Sequence, residues 1–247
     1  MKLIQLNTWS CKLPTEIIRF FDEENPDIVC LQEVVTSSDG GKIFDTIGSI
    51  LDRHPFNNQY NTPLVEFNFM HHTATRGNLI ASNFPYSQTN QIWTLGNFTK
   101  NFDYIDSGGY NVARNIAHAT VETPDGLLHV LTLHGYHIKD HKNGNEESLR
   151  ACKELVEYAS ALDGPVIITG DFNLSPTSES IQLVNQSFRN LTIENNIATT
   201  RNHLTEKTEV CDYIFINDRV QVNKFYVSDI IASDHAGLIL DFGLIKE

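Results

Sequence analysis

Two hydrophobic patterns alternate in the first third of the chain. "KLIQLNTW" and "DIVCLQE" are apolar runs of strand length. After the first comes "TEIIRFFDEEN", apolar at helical spacing and stopped by Pro26; after the second comes "GKIFDTIGSILDR", with Ile43, Phe44, Ile47, Ile50 and Leu51 on one helical face. Two β-α units are predicted. The middle third changes character: "RGNLIASNFP", "NVARNIAHATVET" and "GLLHVLTLHGYH" are strand-like runs parted by Pro, Gly and Asn turns with no helix between them. This part is predicted antiparallel. "NEESLRACKELVEYASALDG" then predicts a helix capped by Asn145, with Leu149, Cys152, Val156 and Ala159 on one face and Gly164-Pro165 as its stop. The apolar run Val166-Ile167-Ile168 breaks at Gly170 into Asp171-Phe172-Asn173, and a short helix is predicted near Ser178 to Val184. Three more strands, "VCDYIFIN", "RVQVNKFYVS" and "AGLILDF", close the chain. With no internal repeat, low-complexity tract or linker, residues 1–247 read as one α/β domain: two packed mixed sheets with helices on the outer faces.

Composition narrows the chemistry. A chain of 247 residues, 40% hydrophobic, can bury roughly three quarters of its unfolded surface without a disulfide or a metal. Cys11, Cys30, Cys152 and Cys211 are scattered, with no zinc-like or disulfide-framework spacing, and read as buried free thiols. "MKLIQLNTWS" lacks the pattern of a secretion signal and no stretch approaches membrane-spanning length, so the expectation is a soluble, cytoplasmic protein with no obligate protein partner. The formal charge of −13, with no Lys/Arg run, argues against broad duplex binding, which rests on phosphate neutralisation. An acidic protein acting on a phosphate ester needs cations local to its site.

Polar residues stand at the strand ends. Asn7 ends the first run, Glu33 the second, and Asp171 and Asn173 the run Val166-Ile167-Ile168; Asp212 opens "DYIFI" and Asp234-His235 precedes the last strand. If these ends share a rim, carboxylates about 4 Å apart repel by ~4 kcal/mol at an effective dielectric near 20. A hard divalent cation with oxygen ligands is the simplest offset. Glu33 is then the principal metal ligand, with Asn7 beside it as amide ligand or orienter. In extended conformation Asp171 and Asn173, two residues apart, face the same way while Phe172 points into the core; "GDFN" also reads as a turn, with Gly and Asn at its ends. Such an Asp orients or deprotonates a water and such an Asn donates to a phosphoryl oxygen. His235, beside acidic Asp234, is suited to donate to a phosphate; His134 and Arg114 are further phosphate contacts. His134, His137 and His141 lie close together, but their strand setting does not suit zinc.

In order, "LNTW", "LQEV", "RGNLIASNFP", "TLHG", "TGDFNLSPTS", "CDYIFI" and "SDHAGLIL" resemble the endonuclease/exonuclease/phosphatase superfamily, nearly end to end. The resemblance implies a four-layered α/β sandwich and Mg²⁺-dependent phosphoester hydrolysis, with Mn²⁺ as an alternative metal. It makes Glu33 the metal-binding glutamate and Asn7 its companion. Asp171 and Asn173 become the water-activating and phosphate-holding residues of a "GDxN" motif, Asp212 the support of the active-site histidine, and His235 the contact to the scissile phosphate. His134 matches a histidine of an "NTHL" strand, from which the chain departs at Thr132 and Gly135; Arg114 aligns with an arginine on the preceding strand. The full expectation is catalysis by Asp171, Asn173, His235, His134 and Asp212, phosphate binding by Arg114, Asn173 and His134, and metal on Glu33, Asn7 and Asp234.

The leading expectation for activity is a nuclease or DNA-repair-type phosphodiesterase, with Trp93, Phe98, Phe102 and Tyr104 in a loop-rich stretch available to stack on bases. Hairpin packing explains those aromatics equally well. Other expectations are a phosphatase or phospholipase acting on a sphingomyelin-like lipid, an inositol phosphate or another small ester, and a non-catalytic binding module of the same fold.

Overall fold

The computed structural model describes residues 1–37, 45–69, 71–103, 112–138 and 141–245. Strand β1 (Lys2–Asn7) pairs parallel with β2 (Ile28–Ser37), and helix α1 (Pro14–Glu24) makes the crossover. The antiparallel strands β12 (Leu238–Leu244) and β11 (Val220–Val227) flank β1; β4 (His72–Ser82) and β3 (Asn58–Phe69) continue beyond β2. A second six-stranded sheet runs β5 (Tyr86–Leu95), β6 (Arg114–Thr123), β7 (Gly126–His134), β8 (Val166–Asp171), β10 (Asp212–Ile216) and β9 (Arg189–Asn190). Here β7 and β8 are the parallel pair, connected through α3 (Glu146–Ser160), and the β5-β6-β7 meander is antiparallel as predicted.

The layers follow from which faces are apolar. Leu3, Ile28 and Cys30 of the first sheet meet Ala117, Val130, Ile167 and Ile214 of the second between the sheets. Ile17, Phe20 and Phe21 of α1, with Ile47 and Ile50 of α2 (Thr46–Arg53), cover the outer face of the first sheet. Cys152, Leu155 and Ala159 of α3, with Ile181 and Val184 of α4 (Glu179–Asn185), cover the second. The result is the expected helix–sheet–sheet–helix sandwich. Ile167 points to the middle layer and Ile168 to the helices, which is why β8 reads as an unbroken apolar run rather than an alternating one.

Some expectations are adjusted. The strands β3 and β5 were not predicted; both lie at sheet edges, where one ladder goes unmatched and apolar alternation is weak. Trp93 accordingly lies on β5, not in a loop, and with Phe102 packs on Leu64, Val65 and Val112. Tyr104, Ile43 and Phe44 lie outside the described residues. The α3 face centres on Leu155, with Ser148, Cys152 and Ala159, and Asn145 caps it by accepting from the Ser148 N–H at 3.0 Å. All four cysteines are free and buried.

The two glycines beside the future site are fixed by close backbone approach. A Cβ on Gly170, at φ +153°, would stand 2.2 Å from the Leu133 carbonyl oxygen, and one on Gly135 would stand 2.2 Å from that of Phe172. Gly135 takes the position where the resembling motif has leucine, and the backbone at Phe172, just past β8, leaves no room for a side chain there. Gly170→Ala is expected to destabilise the fold by ~3 kcal/mol, read as a lower midpoint in urea unfolding.

Candidate active site

The carboxyl ends of both parallel pairs, β1/β2 and β7/β8, open on one rim, the position at which α/β sheets bind ligands. A cavity of about 300 Å³ lies there, lined by Asn7, Glu33, Arg114, His134, Asp171, Asn173, Asp234 and His235 among others. The structure thus brings these sequence-predicted residues together. Asp212 is beneath them, fully buried.

Glu33 does not end its strand. β2 continues to Ser37, and the register slips between Leu31 and Val34, so Gln32 and Glu33 oppose one residue of β4. At this bulge Glu33 takes φ +58°, a conformation that costs of order 1–3 kcal/mol for a non-glycine residue and persists where surroundings enforce it. The bulge turns the carboxylate into the cavity. Trp9, Ser10 and Cys11 form a left-handed turn alongside it, with φ of 52°, 55° and 55°. Ser10 Oγ donates to Glu33 Oε2 at 3.2 Å and Arg76 Nη1 reaches the same oxygen at 3.3 Å. Despite burial, Arg76 and then His134 hold the Glu33 pKa down at about 2.

Asn7 links two carboxylates: its Nδ2 donates to Asp171 Oδ2 at 3.0 Å and to Glu33 Oε1 at 3.4 Å, while its Oδ1 accepts from the Trp9 N–H at 3.0 Å. Asp171 ends β8 and accepts from the Asn173 N–H through Oδ1 at 2.9 Å. This closes a tight turn with Asn173 at φ +56°. Of the two readings of Asp171-Phe172-Asn173, the extended one is therefore corrected to a left-handed turn. Both polar side chains still line the cavity, and Phe172 packs on Tyr213 and Phe215 in the core. Burial opposes the Asp171 charge, but His235, His134 and Arg201 prevail and hold its pKa well below the carboxylate range.

His134 Nε2 faces Asp171 Oδ2 at 3.7 Å and Glu33 Oε1 at 3.9 Å. Burial first, then Arg114, lowers its pKa to about 3, so it stays neutral. His235 is held from behind: its Nδ1 bonds Asp212 Oδ2 at 2.8 Å. Asp171, Asp212 and His235 offer atoms within 4.8 Å of one another, a spacing that suits a metal. Asp212, however, already accepts from Gln5 Nε2 through Oδ1 at 2.8 Å and from Thr200 Oγ1 through Oδ2 at 2.7 Å. Both its oxygens are thus engaged, Oδ2 also by the His235 imidazole.

Arg201 Nη1 contacts His235 Nε2. A guanidinium only donates, so at rest Nε2 accepts and Nδ1–H is given to Asp212. Burial pushes the His235 pKa down, but Asp212 and Asp171 outweigh it and raise the pKa above the usual histidine range. Arg201 is itself one of the groups opposing protonation, so an anion that draws the guanidinium away from Nε2 favours the imidazolium further. Arg201 also reaches Asp234 Oδ2 at 3.4 Å, and its Nε, in a residue 6% exposed, has no hydrogen-bond partner among the described residues.

Five of the fifteen lining residues are Lys or Arg (Lys12, Arg76, Arg114, Arg201 and Lys207) and three are Asp or Glu. Against the chain's −13, the cavity is locally cationic. The carboxylate repulsion expected from sequence is thus offset in large part by the protein's own side chains. Of these cations only Arg114 was predicted. Arg76 had the same signal as the others, a charge opening an apolar strand run; Arg201, Lys12 and Lys207 stand in loops, where no periodicity marks them.

Residues 4–235 match the model of the Endonuclease/Exonuclease/phosphatase family. No curated protein matches the sequence. Among solved structures, an endonuclease/exonuclease/phosphatase from Beutenbergia cavernae aligns with TM-score 0.73 and 18% identity, covering 99% of this chain and 71% of the other. A mannosyl-6-phosphatase from Bacteroides thetaiotaomicron aligns with TM-score 0.70 and 14% identity over 99% of this chain and all of the other. D. rerio TDP2 complexed with a single-strand DNA product gives TM-score 0.69 at 14% identity, with 98% of each chain covered.

Proposed function

Because the chain belongs to the endonuclease/exonuclease/phosphatase family, we propose that it hydrolyses a phosphate ester by in-line attack of water with a hard divalent cation, Mg²⁺ or Mn²⁺. The observation that carries this reading is the cavity itself: Asp171, Asn173, His134 and His235 converge with Glu33 in a cationic pocket on an acidic protein.

The donor set fits such a cation. Glu33 presents a bulge-fixed carboxylate beside Asn7, Asp234 lines the same cavity, and all three offer oxygen. Asn7 acts as the orienter of Glu33 and Asp171, and Asp234 would exchange its Arg201 contact for the metal. A cation held there would supply charge to offset the phosphoryl oxygens and to acidify a water. Asp171, ionised throughout the working range, orients that water and accepts its proton. Asn173, His134, Arg114 and Arg201 donate to the phosphate, and His235 donates to the oxygen on which charge grows. Glu33→Gln is expected to weaken Mn²⁺ binding by about a hundredfold, measured by calorimetry on the folded variant.

Two substrate classes remain. A nuclease-type reading is supported by the likeness to TDP2 with its DNA product. A compact phosphate ester is supported by the small cavity and by Trp93 and Phe102 being engaged in packing, and it is the reading we favour. The test is metal-dependent hydrolysis of p-nitrophenyl and bis(p-nitrophenyl) phosphate, then of abasic DNA, single-stranded DNA, RNA, sphingomyelin, and sugar and inositol phosphates. No metal-dependent turnover by folded protein on any of these would overturn the enzyme reading in favour of a binding module.

A further inference from the structure

Beyond Asn173 the cavity meets a second group of cations that hydrolysis of a single phosphate does not require. Lys142 donates from Nζ to Asn173 Oδ1 at 2.7 Å, and its own carbonyl is fixed by the Ser175 N–H at 2.7 Å. The ammonium is partly buried, and burial draws its pKa below the usual lysine range. Its hydrogen bond nevertheless goes to a neutral amide and not to a carboxylate. Lys207 and His137 line the cavity. His137 is held neutral, its pKa about 4, by burial first and then by Lys142 and Lys207, which puts the three groups in one neighbourhood. Of the carboxylates that act on Lys142, Asp171 belongs to the first site, and Glu209 is exposed and accepts from the Thr208 N–H at 3.1 Å.

A partly desolvated ammonium whose hydrogen bond is spent on a neutral amide, with Asp171 acting on it only through space, is further stabilised when a ligand anion comes within reach of Nζ. Lysine serves phosphate as a point charge of that kind. Asn173 stands between the two cation groups: with Oδ1 taken by Lys142, only its Nδ2 donors remain for the scissile phosphate. One amide group and two hydrogen bonds, roughly 7 Å, separate Lys142 Nζ from an oxygen on that phosphate. Two oxyanions on neighbouring atoms of one small molecule span that distance.

We propose that Lys142 and Lys207, with His137 as a neutral partner, form a second anion subsite, and that the substrate is a small phosphate ester carrying another oxyanion within a few bonds of the scissile phosphate. The assignment of the first phosphate to Asn173 and His235 rests on the phosphoesterase reading; the binding test below does not. Calorimetry in EDTA, on the full chain, compares methylphosphonate with methylenediphosphonate and phosphonoacetate. The expected result is about tenfold tighter binding of a two-anion ligand. Preference for methylenediphosphonate alone identifies the second group as phosphate, and preference for both identifies any oxyanion. Lys207→Met should bring the two-anion ligands within about twofold of methylphosphonate, whose own affinity stays unchanged; Lys142→Met, which also frees the Asn173 amide, should abolish the preference too. Equal binding of all three ligands by the wild type, no binding of any, or a preference that survives in both folded variants overturns the subsite. Turnover of single-phosphate esters without the preference leaves the phosphoesterase reading intact, and the preference without turnover does the reverse.

Discussion

Asp171→Asn is expected to lower kcat/KM for metal-dependent phosphoester hydrolysis by about 10³-fold, within the range that proton-accepting groups contribute. The substitution is nearly isosteric and keeps one oxygen to accept from the Asn173 N–H, so the turn survives. What disappears is the charge. Asp171 Oδ2 accepts from Asn7 at 3.0 Å and faces His134 and His235 at 3.7 and 3.6 Å, so a neutral amide there can neither take a proton from water nor balance the cations around it. Steady-state kinetics on bis(p-nitrophenyl) phosphate, with circular dichroism to confirm the fold, provide the check. Undiminished turnover in the folded variant would sink the assignment.

His235→Ala should cost about 10²- to 10³-fold in kcat, the usual effect of losing one donor to developing oxyanion charge. The pH profile carries more information than the loss. Asp212 and Asp171 raise the His235 pKa against the opposing effect of burial. If the protonated imidazole is the donor, the wild-type rate is sustained at low pH with respect to this group and falls as pH rises through the raised pKa, above the ordinary histidine range. Asp212→Asn removes the first of the raising charges, so that fall should move to lower pH while the variant keeps part of its activity. A profile unmoved by Asp212→Asn would separate His235 from the chemistry.

Much of this site was legible in the sequence because strands make it so. A run buried on both faces has to be apolar, and a charge or amide at its end stands out: Asn7, Asp171 and His134 each end a strand, and Arg114 and Asp212 each begin one. The edge strands β3 and β5 were not legible for the converse reason. "NQYNTPLVEFNF" and "YSQTNQIWTL" are rich in Asn, Gln and Thr, since an edge ladder has less apolar surface to cover. Between the extended and the turn reading of "GDFN" the sequence did not decide; the structure takes the turn, where a side chain accepting from the backbone two residues on replaces extended pairing.

By itself the sequence determined the layers, the strand ends and the residue types that meet there, because periodicity and burial act along the chain. Only the tertiary structure decided how those residues are held and charged. It placed Glu33 on a bulge, set Arg201 against His235 and Asp234, turned the Asn173 amide through Lys142, and gathered five Lys and Arg side chains around three carboxylates. Coulomb and hydrogen-bond partners are chosen by distance in space, and residues from Lys12 to His235 become neighbours only when both parallel strand pairs open on the same rim.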